Sequence, residues 1–270
     1  MNETVTSLQN PLVKQAVALQ QKKRRDEAGL FIVEGTRQAE ELLASGWPIE
    51  FGLFTGAAAR QERIYHLIQT ARLRCQMTQV TDQVFAKAAE TEQPQGILLA
   101  ARQTVMPLTA TLSKEDALLV VLDGVQDPGN LGALLRVADA AGAGGVIVLE
   151  GSADPFGGKA VRASMGSLFH LPLTVGVNHE ALLAELKAQQ IRLVATALEG
   201  ADSYLNVNLT GRLAVVFGNE GKGVSREILE AVKEKLHIPI YGQAESLNVA
   251  TAAAVILYEA ARQRQGCVSL

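Results

Sequence analysis

Three short stretches of this 270-residue sequence combine glycine with polar side chains in patterns that a plain apolar core does not need. The first runs Asp123-Gly124-Val125-Gln126-Asp127-Pro128-Gly129-Asn130-Leu131-Gly132 and continues through Ala133-Leu134-Leu135-Arg136. A buried strand enters a Pro-Gly turn, and Asn130 stands where a helix N-cap belongs. Leu131, Leu134, Leu135 and Ala138 mark the stripe such a helix would bury, leaving Arg136 off it. Gly132, one turn earlier on the same side, gives Arg136 room to reach past the helix start. A guanidinium almost never loses its proton, so it offers a ligand charge and hydrogen bonds rather than a base. A capped helix carrying a surface arginine is the plain structural alternative.

The second stretch is Phe217-Gly218-Asn219-Glu220-Gly221-Lys222-Gly223-Val224. Three glycines interleaved with polar residues after a buried strand allow backbone to approach a ligand closely. Its GxxGKG lacks the spacing and the Ser/Thr of a phosphate-binding P-loop, and no GxGxxG occurs, so neither nucleotide signature is met. A flexible turn would not account for Glu220 at the strand end. In the third stretch, Ile238-Pro239-Ile240-Tyr241-Gly242-Gln243-Ala244-Glu245-Ser246-Leu247-Asn248-Val249-Ala250, both Ser246 and Asn248 can cap the following helix. One cap suffices, so the other is available to a ligand.

The elements that would position these loops follow from hydrophobic periodicity. The first part reads as a small α/β unit: a helix over 10–20, a strand over 29–35, a helix over 36–45 with Thr36 as N-cap, a strand over 49–54, a helix over 61–72 and a closing strand over 96–101. Residues 1–105 form this unit, 106–116 a linker and 117–270 a second domain. There strands are expected at 117–125, 145–150, 191–197, 213–218 and 237–240, and helices at 130–141, 179–189, 224–235 and 247–264. Strands separated by helices imply a largely parallel sheet covered on both faces, with ligands beyond the C-terminal strand ends.

Apolar residues at 48% and charged residues at 20% exclude wholesale disorder. The apolar runs are too short to cross a bilayer, and the first residues lack the pattern of a signal peptide, so a cytoplasmic protein without a membrane partner is expected. Cys75 and Cys267 make no disulfide framework, and no His/Cys spacing suggests a metal. His66, His170, His179 and His237 are scattered and read as structural or surface residues, and Trp47 as core. The net charge of −3 does not advertise nucleic acid, yet residues 1–105 carry 12 basic against 11 acidic residues, and the remainder 13 against 17. Lys22-Lys23-Arg24-Arg25 is a compact basic run, which could hold a phosphate backbone or be a solvated helix end.

Taken in order, the three loops resemble the motifs of the SpoU family of RNA ribose 2′-O-methyltransferases, in the SPOUT superfamily, at Asn130–Arg136, Phe217–Gly223 and Ile238–Val249. Ser7-Leu8-Gln9-Asn10-Pro11, the basic run and Phe31-Ile32-Val33-Glu34-Gly35-Thr36-Arg37 resemble the substrate-binding domain that precedes many members. The resemblance implies an α/β fold whose C-terminal parallel-sheet domain ends in a trefoil knot, preceded by a small α/β RNA-binding domain. It implies S-adenosyl-L-methionine as cofactor, held by Gly218, Ile238 and Leu247, with Thr196 and its neighbours Ala195, Ala197 and Leu198 beside the adenosine. Arg136 becomes the central catalytic residue, clamping a phosphate and stabilising the developing alkoxide, with Asn130, Glu220, Ser246 and Asn248 orienting it and the ribose. Lys22, Lys23, Arg24, Arg25 and Arg37 become phosphate contacts. Glu34 fits the pattern too, as a ligand contact or as a bond to the next helix start. A homodimer is implied, the Ala-rich final helix being able either to form its interface or to pack within the chain.

Structured RNA is the expected substrate, and the separate N-terminal domain favours ribosomal over transfer RNA. A resistance methyltransferase fits the same pattern. A non-catalytic RNA-binding or assembly protein would not require Asn130, Arg136, Glu220 and Asn248 together.

Overall fold

The computed structural model describes residues 4–115 and 117–265. They group into two units: residues up to Thr104 with Asp154–Phe169, and Val105–Ala153 with the residues from His170 onward.

The first unit runs α1 (Pro11–Ala18), α2 (Lys22–Ala28), β1 (Leu30–Glu34), α3 (Thr36–Ser45), β2 (Ile49–Thr55), α4 (Glu62–Arg72), β3 (Gln76–Val80), α5 (Asp82–Ala88) and β4 (Ile97–Arg102). The sheet order is β1-β4-β2-β3, with β4 antiparallel to both neighbours and β2 parallel to β3. Alternation divides its side chains between two faces. Leu30, Ile32, Phe51, Leu53, Leu98 and Ala100 meet Val13 and Ala16 of α1, Leu19 that ends it, and Val84, Phe85 and Ala88 of α5. On the opposite face, Phe31 lies 5.0 Å from the Phe156 ring and 6.2 Å from Trp47, which meets Phe169 edge-on at 5.4 Å. Trp47, read from the sequence as core, is half-buried and packs on this aromatic cluster.

Several details differ from the expectations. Strand β3 and helices α2 and α5 escaped them, because each is short and mixes polar with apolar residues. Thr36 is not the N-cap of α3: Gly35 is, and the Thr36 amide donates to Gln95 Oε1 at 2.6 Å. Glu34, 4% exposed, accepts from the amide of Glu90 at 2.8 Å and from the Thr91 hydroxyl, tying the 90–91 segment to β1 instead of capping α3.

The second unit contains α6 (Leu108–Leu112), β5 (Leu118–Asp123), α7 (Pro128–Ala140) and β6 (Gly145–Leu149). After α8 (Gly158–Ser164), which lies in the first unit, come β7 (Leu173–Val177), α9 (His179–Ala188), β8 (Arg192–Thr196), β9 (Asp202–Ser203), β10 (Leu213–Gly218), α10 (Arg226–Ala231), β11 (Glu234–His237) and α11 (Val249–Gln265). The seven strands are parallel throughout, in the order β7-β6-β5-β10-β8-β11-β9. Every residue of β5, β6 and β10 is buried, as a sheet covered on both faces demands. Leu119, Val121, Ile147, Ala214 and Val216 face Leu182 and Leu186 of α9, Ile228 of α10 and Leu112 of α6. The alternate residues lie on the other face, where α11 packs on α7 and β10.

The stretch 106–116, expected as a linker, carries α6, and Leu112 is fully buried in that core. The helix expected over 224–235 stops at Ala231, because Glu234–His237 pairs with β8 as β11. The strand foreseen at 237–240 thus begins three residues earlier: strand pairing outweighs the local helical pattern. Cys267 lies outside the described residues.

Arg25 requires a correction. It ends the basic run yet is 6% exposed, with Nη2 2.6 Å from Asp154 Oδ2 and Nη1 donating to the carbonyls of Leu19 and Gln20. The α2 turn points Lys22, Lys23 and Arg24 outward, where they pair with Asp26 and Glu27, and points Arg25 inward. It is a structural cation, not a phosphate contact. Arg25→Ala, which strands a buried carboxylate, should cost about 3–5 kcal/mol in urea unfolding. Lys23→Ala should change stability by less than about 0.5 kcal/mol. Equal effects would contradict the buried pair.

Candidate active site

The three loops meet at the C-terminal ends of β5, β10 and β11. Helix α7 begins with Asp127 as N-cap, its carboxylate accepting from the Asn130 amide at 2.9 Å, and Pro128 follows it. The sequence reading had placed Asn130 in that role. An Asp-Pro pair is itself a helix-start signal, and it moves the start three residues back. With the cap supplied by Asp127, the Asn130 side chain is released for other contacts.

Its partner is Glu220, in the turn after β10. The carboxylate accepts from the backbone amides of Gln126 at 3.2 Å and Asp127 at 3.1 Å, and from Asn130 Nδ2 at 3.0 Å. Partial burial pushes this carboxyl up, but the hydrogen bonds from Asn130 and the amides outweigh it and hold Glu220 below the usual carboxylate range. An ionised carboxylate only accepts, so Asn130 must turn its NH2 to Glu220 and its oxygen away. That oxygen accepts from Asn248 Nδ2 at 2.9 Å. Asn248 in turn has its own oxygen on the amides of Ala250 at 2.9 Å and Thr251 at 3.3 Å, capping α11. One polar chain thus joins all three loops, its direction set at the Glu220 end.

Around it lies a cavity of about 760 Å³, lined by Asn130, Glu220, Ser246 and Asn248 and by Thr196, Gly218, Ile238 and Leu247. Ala197, Leu198, Leu236 and Ile240 supply further apolar wall. Thr196 donates its hydroxyl to the carbonyl of Val216 at 3.0 Å, so its proton serves the sheet. The loop after β10 is closed by Asn219. Its backbone pairs with Gly223 in both directions at 2.9 Å, its Oδ1 accepts from the Gly221 and Lys222 amides, and its Nδ2 donates to the Gly124 carbonyl at 2.8 Å. A Cβ on Gly218 would stand 2.2 Å from Gly223 C and Val224 N, so this glycine is required by the loop's own folding back. Deeper in the unit, Asp123, 4% exposed, holds His179 Nε2 at 2.9 Å and the Ser225 amide at 2.7 Å.

The profile of the SpoU rRNA Methylase family matches residues 117–258, and that of the MRM3-like substrate binding domain matches residues 10–99. The chain belongs to the SpoU rRNA methylase family. It is 38% identical over 94% of its length, and 97% of the relative, to a 23S rRNA (guanosine(2553)-2′-O)-methyltransferase of Bacillus subtilis (strain 168). A crystal structure of an AdoMet-bound rRNA methyltransferase from Sinorhizobium meliloti superposes with a TM-score of 0.87 at 34% identity, covering 96% of this chain and 97% of that one. The SpoU methyltransferase AviRb from Streptomyces viridochromogenes, in complex with AdoMet, gives 0.86 at 30% identity over 95% and 100%.

Eight of the site residues singled out in the sequence therefore share one cavity. Arg136 does not: it is exposed on α7, outside the lining. Glu199, Lys222, Lys235 and His237 line the cavity without having been assigned a role. His237 was read as structural or surface; its Nδ1 bonds to the Ala201 carbonyl at 3.1 Å, beside the cavity wall. Cys75 is half-buried, and burial pushes its thiol up to about 11, so it is no nucleophile at neutral pH. Among the described residues no helix is long and apolar enough to cross a membrane, and no group of three His, Cys, Asp or Glu is gathered.

Glu220→Gln places an amide NH2 against donors and should weaken AdoMet binding about tenfold, the scale of one charged hydrogen bond. Because the folded-state carboxyl is depressed, its contribution should persist as pH falls through the ordinary glutamate range. It should disappear only below that range, as acid protonates Glu220. Calorimetric titration of both proteins against pH reads this out; an unchanged affinity in the variant would show that cofactor binding does not depend on this carboxylate.

Proposed function

We propose that this protein is an S-adenosyl-L-methionine-dependent methyltransferase that modifies a ribose 2′-hydroxyl in 23S ribosomal RNA. The observation that carries the proposal is the Glu220–Asn130–Asn248 chain facing a cavity of mixed polar and apolar lining at the strand ends. The relatives named above, which act on rRNA, support the substrate class.

The lining fits the cofactor. Leu198, Leu236, Ile238, Ile240 and Leu247 suit an adenine face, and the irregular backbone between β11 and α11 supplies groups for its edge. When bound, AdoMet supplies an electrophilic methyl on a sulfonium centre. The protein's task is then to align the ribose oxygen and to stabilise the negative charge growing on it. Asn130, Glu220, Ser246 and Asn248 orient the ribose. Arg136 holds the neighbouring phosphate and offsets charge on the oxygen. Its exposed position on α7, outside the cavity, fits a homodimer whose site is completed near the subunit interface. Lys22, Lys23, Arg24 and Arg37, all exposed, position the RNA backbone without reading sequence. The segment between β11 and α11 threads a loop as a trefoil knot. The late strand β10 lying between β5 and β8, and α11 returning to α7, support this path.

Ribose methylation mapped on total RNA, with and without the protein, should gain a site in 23S rRNA. A gain confined to transfer RNA, or none, would overturn the substrate assignment. Arg136→Ala should lower methyl transfer by at least about a hundredfold, as for loss of one charge-stabilising group. Its AdoMet affinity should stay within about twofold of the original. A fully active variant would refute the role.

A further inference from the structure

A second cavity, of about 450 Å³, lies wholly within the first unit, between the start of α3, the start of α4 and residue 165. Its volume is within the range of about 300–1,000 Å³ common to small-ligand clefts. Its chemistry is unlike that of a phosphate site. Arg63 lines it, but Arg63 Nε and Nη2 already grip the Glu40 carboxylate at 2.6 and 2.5 Å, and this bond holds Glu40 below the usual carboxylate range. The charge of Arg63 is therefore matched, and what remains is the face of a planar guanidinium, a surface on which an aromatic ring stacks.

Amide side chains surround it. Gln95 gives its oxygen to the Thr36 amide at 2.6 Å, while its NH2 has no protein acceptor among the described residues. Gln38 closes the same corner. Gly35, at a φ of 100°, lets the oxygens of Gln38 and Gln95 come within 3.1 and 3.2 Å of the position a Cβ would occupy. That cradle exists only because the residue is glycine. Met165 also lines the cavity, a non-glycine residue at φ 52° that caps α8 in the left-handed conformation. Strained residues of this kind concentrate at ligand sites. A flat group with a polar edge meets its complement here: amide donors and acceptors at the edge, a thioether and a planar guanidinium for the faces.

We infer that this cavity receives an unstacked nucleobase of the RNA, with the exposed Arg37 at its mouth taking the adjoining phosphate. Single-stranded RNA is recognised in this way, by stacking and by hydrogen bonds to base edges. The inference rests on the RNA substrate proposed above and deepens it: the first unit reads at least one base in addition to gripping the backbone.

The test uses the full chain and fluorescein-labelled RNA decamers, decauridine and deca-adenosine, against a matched abasic decamer. The protein should bind one of the base-bearing decamers about tenfold more tightly than the abasic one. Met165→Gly removes the thioether while suiting the left-handed backbone, so it folds; Gln38→Ala removes an edge contact. Each should bring the ratio close to one and leave AdoMet affinity unchanged. No base dependence in the original protein, or dependence retained in both variants, would overturn the inference. Methyl transfer to 23S rRNA measured on the same preparation separates the two readings. Transfer without base dependence sinks only this inference, and absence of transfer sinks the functional proposal.

Discussion

An ionised carboxylate that can only accept hydrogen bonds sets the direction of the Asn130 and Asn248 amides at the larger cavity. Glu220 takes two backbone amides from the turn before α7 and the NH2 of Asn130. Asn130 is then obliged to present its oxygen to Asn248, and Asn248 to present its own to the first turn of α11. Asparagine amides are otherwise free to flip, and flipping Asn130 alone would set its NH2 against that of Asn248 and its oxygen against the Glu220 carboxylate. The charge at one end removes that ambiguity across three loops far apart in sequence. A site that aligns a weak nucleophile needs this kind of fixed polarity, since misplacement by an ångström is costly.

The scaffold makes such fixation possible because its centre does not yield. β5 and β10 are neighbours in the middle of a sheet covered on both faces, and each ends in a loop of the site. The loops are then closed on themselves, through Asn219 within its own turn and through Asp123 to Ser225. Gly218 shows the consequence. Its missing side chain admits the loop's own backbone, while the residue also lines the cavity.

In the first unit the same principle operates with different groups. Three aromatic rings gather around Phe31, two of them on the 154–169 segment. The buried Arg25–Asp154 pair ties that segment to the end of α2. Segment 154–169 also brings Met165 to the smaller cavity, so residues remote in sequence from the N-terminal part complete its surface.

Much of this was legible from one chain. The parallel sheet followed from uninterrupted apolar runs such as Leu213–Gly218, and the membership of the larger cavity from three glycine-rich loops at strand ends, because both are local patterns. Where the sequence misled, a distant partner decided. Asn130 looked like a cap until Asp127 took that role and Glu220 claimed its side chain. Arg25 looked like its three basic neighbours until the helix turned it towards Asp154, 129 residues away. Residues 234 and 235 read as helix until β8 offered a strand to pair with. Residue types and short-range spacing thus determined which elements form and which groups are capable of chemistry. Only the tertiary structure decided which side chains are spent on holding the protein together, because that depends on a hydrogen-bonding partner that spacing along the chain does not reveal.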